Sequence, residues 1–150
     1  MTWPPRRIVV GIDFSPLSEH ALELAQGLAS AVGASLTLVH VLDTAGYAMV
    51  GTPVLGDTPM TAVVPLDVAQ LRGEAEASLR ALAERHGARG ELVVREGQPS
   101  AELCSASSNA DLLVVGTHGR SGLRHLLLGS TAETIMRRCP TPVLTVRGAI

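Results

Sequence analysis

The chain has 150 residues, of which 46% are hydrophobic but only three aromatic, so it can bury an aliphatic core without staples. Its formal net charge is -2, and all twelve cationic residues are arginine. That balance argues against general nucleic-acid binding, and the lack of lysine excludes a Schiff-base or phosphate-loop lysine.

No apolar run approaches the ~18 residues of a membrane-spanning helix, and no stretch reads as a signal peptide. Cys104 and Cys139 form no CxxC, so neither a disulfide framework nor a thiolate zinc site is expected, and both read as packing residues. A cytoplasmic setting with no membrane partner follows as the expectation.

In chain order, Ile8–Ile12 is a continuous apolar run that ends at Asp13. Ser15-Pro16 reads as a helix start, serine as N-cap and proline at the first helical position. Leu17, Ala21, Leu24, Ala25, Leu28 and Val32 follow at helical spacing, and Gly33 is placed to end that helix. Leu36–Val41 is a second apolar run. Neither run alternates, which suits parallel strands covered on both faces.

Residues 43–66 lack periodicity and read as a long connection. Asp67 is placed to cap a second helix, with Val68, Leu71, Ala75, Leu79 and Leu82 on one face and Gly87 at its end. Leu92–Arg95 is a short strand. Gly97-Gln98-Pro99 turns the chain into a helix around Ala101–Ser107. Leu112–Gly116 is another buried strand, Ser130–Arg138 a helix stopped by Pro140 and Pro142, and Val143–Val146 the last strand. Five strands alternating with four helices predict one three-layer α/β domain over residues 1–150, with an open, doubly wound parallel sheet. Such sheets bind ligands at the carboxyl ends of strands where strand order reverses, which singles out Gly11–Ser15 and the segment from Gly116 onward.

The second of these is the sharper signal. Gly116-Thr117-His118-Gly119, then nine residues, then Gly129-Ser130, give G-x2-G-x9-G-S. Glycines let backbone amides approach a ligand closely and adopt positive φ. Gly129-Ser130-Thr131 opens a helix whose free N–H groups and dipole favour a phosphate. Arg120 and Arg124 lie in a locally positive segment and could add charge. For His118, a phosphate contact and loop packing stand as alternatives. His40, inside an apolar strand, reads as a satisfied core histidine.

The chain resembles the universal stress protein family over nearly its full length. The resemblance is carried by IVVGIDFSPLSEHAL, LTLVHV, EGQPS and ADLLVVGTHGRSGLRHLLLGSTAETIMRRCPTPVLTV, in that order. The glycine spacing matches that family's ATP-binding branch. The resemblance implies a Rossmann-like fold, related to the adenine nucleotide α-hydrolases, with strand order 3-2-1-4-5. It implies ATP, with adenine near Gly11, Ile12 and Val41, and with Asp13 beside the nucleotide. Ribose and phosphates would lie on Val115, Gly116, Thr117, His118, Gly119, Gly129, Ser130 and Thr131. Asp13 could accept ribose hydrogen bonds or help hold a hydrated Mg²⁺; helix capping is its alternative role. The resemblance also implies a homodimer through Val143, Leu144, Thr145 and Val146, a strand with no charge or proline to protect its edge.

The chain has no G-x-G-x-x-G, no GxxxxGK[ST] and no G-x-S-x-G, and no pair of carboxylates sits at the glycine loop. The expected role is therefore a nucleotide-dependent regulatory module. A slow ATPase and an ATP-independent dimeric scaffold are the competing readings.

Overall fold

A parallel strand buried on both faces sends successive apolar side chains to opposite layers, and β1 (Arg7–Ile12) does this residue by residue. A computed structural model describes residues 3–43, 67–117 and 129–147. Ile8, Val10 and Ile12 enter one core with Leu38 of β2 (Ser35–Leu42) and Val114 of β4 (Leu112–Gly116). Val9, Val39, Leu113 and Val115 enter a second core on the opposite face.

The five strands form one parallel sheet in the order β3-β2-β1-β4-β5, with β3 at Glu91–Glu96 and β5 at Val143–Val146. The chain builds outward from β1 to β3, then crosses back to lay β4 and β5 on β1's other side. The order reverses between β1 and β4, as the family resemblance implies.

Helix α1 (Pro16–Val32) and α2 (Val68–Arg85) cover the first core, while α3 (Pro99–Ala106) and α4 (Ser130–Arg138) cover the second. The helix starts follow their caps: Ser18 N–H donates to Ser15 Oγ, and Gln70 N–H to Asp67 Oδ1. Gly33 ends α1 at φ 69°, a left-handed conformation in which a Cβ would crowd the following carbonyl.

One packing expectation fails. Leu24 is 45% exposed, whereas Leu22 is fully buried. The buried stripe of α1 runs through Ser18, Ala21, Leu22, Ala25 and Ala29, because small residues let the helix lie close to the sheet. Among the described residues, Leu22, Leu38, Leu79, Leu113 and Ile135 are the largest wholly buried leucine and isoleucine side chains besides Ile8. Truncating any of them to alanine costs about 2–5 kcal/mol. The connection expected over 43–66 lies outside the described residues apart from Asp43.

Candidate functional site

The carboxyl ends of β1, β2 and β4 open into a cavity of about 410 Å³, within the size range of small-molecule sites. Its apolar wall is Val39, Val41, Val115, Leu103 and Ile135, with Pro99 at the start of α3. Its polar wall is Asp13, Ser18, Asp43, Thr117, Ser130 and Thr131. Of the residues expected at the site, Gly11, Ile12, Asp13, Val41, Val115, Gly116, Thr117, Gly129, Ser130 and Thr131 all border this one cavity. His118, Gly119 and Arg120 lie outside the described residues, as does Arg124.

Gly11 makes room for the cavity. A Cβ built there would lie 3.1 and 3.2 Å from the Leu103 δ-methyls and 3.2 Å from Val115 Cγ1. Glycine thus leaves a slot between β1 and α3 that any side chain would fill. Gly116 borders the cavity as expected but lacks the positive φ expected of it. A Cβ there would meet Leu17 of α1 at 3.3 Å. Its glycine permits close packing of β4 on α1 rather than an unusual backbone turn.

After β1 the chain turns sharply. Phe14 takes φ 61°, a conformation rare for a bulky residue, and its ring packs on His40 at 4.5 Å between centroids. The turn folds Asp13 back over the helix start. Asp13 Oδ1 accepts the Ser15 N–H at 3.0 Å and the Ser15 hydroxyl at 2.5 Å, while the Asp13 N–H donates to Ser18 Oγ at 3.3 Å. Asp13 therefore buttresses the cap that Ser15 provides, and its carboxylate also borders the cavity. His40 is buried, and its Nδ1 donates to Ile12 O at 2.7 Å, so it is the satisfied core histidine expected.

On the other side, Thr117 joins three elements. Its N–H donates to Val146 O at 2.8 Å, and its carbonyl accepts the Gly129 N–H at 2.6 Å. This fixes the start of α4 against the ends of β4 and β5. Gly129 supplies no side-chain cap, so the first turn of α4 keeps backbone donors at the cavity rim. The positive end of the helix dipole faces the same space. The arrangement offers an apolar slot at one end and anion-favouring backbone at the other.

Of the cavity's lining, Ser18, Val39, Asp43, Pro99, Leu103, Ala132 and Ile135 were not singled out by the sequence. Asp43 had a usable signal, since it follows β2 as Asp13 follows β1. Leu103 and Ile135 had none, because which helix face meets the cavity depends on how α3 and α4 lie on the sheet. The clearest carboxylate shift lies elsewhere. A hydrogen bond from His86 holds Glu19 below its ordinary value; burial opposes this, and Arg85 adds to the lowering. These groups tie α1 to α2, with His86 Nε2 and Glu19 Oε2 3.0 Å apart.

The profile of the universal stress protein family matches residues 4–147. A universal stress protein of Methanocaldococcus jannaschii is 31% identical over 144 residues, spanning 95% of this chain and 82% of the relative. One from Mycobacterium tuberculosis is 34% identical over 148 residues and 93% of this chain. This chain spans 45% of that protein, less than half its length. Among solved structures, a universal stress protein in complex with cAMP superposes with a TM-score of 0.63 at 28% identity, covering 95% of this chain and 97% of its own.

Proposed function

The chain belongs to the universal stress protein family, and we propose that it is an ATP-binding regulatory module of the stress response. The observation that carries this reading is the cavity at the reversal of strand order, apolar at one end and opened at the other by the uncapped start of α4. Adenine would enter the slot by Gly11, Ile12 and Val41. Ribose would lie near Asp13 and Val115. The phosphates would meet Gly116, Thr117, Gly129, Ser130 and Thr131, with His118, Gly119 and Arg120 from the sequence between them. The 28%-identical relative crystallised with cAMP supports an adenine nucleotide as the ligand class.

Mg²⁺ would accompany ATP. It prefers carboxylate and phosphate oxygens, and Asp13 and Asp43 both border the cavity. Among the described residues no cluster of three His, Cys, Asp or Glu could hold a metal by itself. The donor set therefore fits an ion held mainly by phosphates and water, with Asp13 supplying a carboxylate.

The module would act as a cytoplasmic homodimer through β5. Among the described residues that strand pairs only with β4, and Leu144 on it is 40% exposed. Among the described residues no helix is long and apolar enough to cross a membrane.

The test is equilibrium binding of ATP to the unaltered chain and to a Gly119→Val, Gly129→Val double variant. The reading expects binding to fall at least tenfold in the variant while its thermal melt stays cooperative. Retained affinity would sink the site assignment.

A further inference from the structure

The two cysteines come from distant parts of the sequence, yet the fold brings them together on the face of the sheet that carries α3 and α4. Cys104 lies within α3. Cys139 terminates α4, its N–H donating to Ile135 O at 2.8 Å. Both rest against the cluster that contains Leu103, Leu113 and Ile135.

Neighbouring contacts fix their approach. Ser107, on the next turn from Cys104, donates from Oγ to Cys104 O at 3.1 Å, and the same oxygen lies 3.5 Å from Cys139 Sγ. Thr141 Oγ1 donates to Ser107 O at 2.8 Å, which clamps the segment beyond Cys139 onto the end of α3. Cys104 lies one turn before Ser107 on the same face of α3, so the Cys139 sulfur against Ser107 Oγ also faces the Cys104 side chain, and both residues are partly exposed. A small oxidant can therefore reach two thiols held on either side of Ser107.

We infer that Cys104 and Cys139 are a dithiol modification site, converted reversibly to an intrachain disulfide by a hydroperoxide. Burial and the neighbouring thiol push Cys104 up to about 12, so it stays protonated at neutral pH. Cys139 is then the sulfur that meets the peroxide, giving up its proton to water as it attacks. It attacks the terminal peroxide oxygen. An S–O bond forms, the O–O bond breaks, and the alkoxide or hydroxide released takes up a proton. Cys104 sulfur next attacks the Cys139 sulfenic sulfur. The S–S bond forms, the S–O bond breaks, and the departing hydroxide leaves as water with the Cys104 proton. Two thiols lose two electrons; one hydroperoxide becomes an alcohol, or water, plus water.

The bridge would staple α3 to the end of α4, the two helices that bring Leu103 and Ile135 to the cavity. The modification itself does not depend on what that cavity holds.

The experiment treats the full-length reduced protein with hydrogen peroxide, alkylates remaining thiols, and reads intact mass and a peptide map. The expected result is loss of two hydrogens per chain, no alkylated cysteine, and one cross-linked peptide pair containing Cys104 and Cys139. Dithiothreitol should restore both thiols. Cys104→Ser should stop at a sulfenic acid on Cys139, trapped by dimedone, and Cys139→Ser should leave Cys104 unmodified at the same exposure. If either serine variant fails to fold, the map of the unaltered chain decides. Two intact thiols, oxygen adducts as the end product, or bridges only between chains would overturn the inference.

Discussion

Gly11→Val places three carbons in the slot between β1 and α3. The first of them already lies 3.1–3.2 Å from Leu103 and Val115 methyls, closer than an ordinary carbon contact. Leu103 is the partner that can give, because it borders the cavity and can swing into it. Overpacking of this kind costs about 1–3 kcal/mol, and the reduced freedom of the unfolded chain offsets about 0.4–1 kcal/mol of that. The net loss is about 1–2 kcal/mol, or a fall in Tm of roughly 2–8 °C for a chain of this length. The effect on binding should be larger. The new methyls and the displaced Leu103 would remove roughly 100 Å² of contact with a bound base, about 2.5 kcal/mol or some seventyfold in Kd. Calorimetric titration with ATP, beside thermal melts of both proteins, separates the two effects. A valine variant that melts a few degrees lower yet binds ATP undiminished would refute the placement of the base between β1 and α3.

Three further outcomes follow from the described contacts. Gly33→Ala should destabilise the fold by about 1–2 kcal/mol, read from the urea midpoint, because φ is 69° and the added methyl meets nothing within 4 Å to compensate. Glu19 is held below its ordinary 4.5, so its partnership with His86 and Arg85 is complete above the unfolded value and is lost as pH falls through the lower folded value. Glu19→Gln should therefore cost about 0.5–1 kcal/mol at neutral pH, a difference that closes in acid denaturation curves as pH falls below 4.5 and through the lower folded value. Leu144→Lys puts a charge on the open edge of β5 and should shift sedimentation from dimer to monomer; an unchanged mass would exclude this edge as the interface.

Much of the architecture was legible because its signals are local. The continuous apolar runs of β1 and β4 mark strands buried on both faces, and Ser15-Pro16 and Gly33 mark where α1 begins and ends. The glycine spacing pointed to the carboxyl end of the sheet, and its described members border one cavity there. What escaped was set by packing between distant elements. Leu24 fits the helical period but faces outward, because the rotation of α1 is decided by how closely its alanines approach the sheet. The positive φ expected at Gly116 is absent, and its missing Cβ makes room for Leu17. The meeting of Cys104 with Cys139 depends on α3 lying beside α4, which no sequence interval encodes.

The central claim is that the cavity between β1, β4 and the start of α4 holds ATP. Calorimetric titration of the purified protein with MgATP, after any carried-over nucleotide has been stripped and identified, tests it most directly. Saturable binding near one nucleotide per chain is the predicted result. No binding up to millimolar MgATP would contradict the claim and leave the cavity a feature of the fold without a nucleotide.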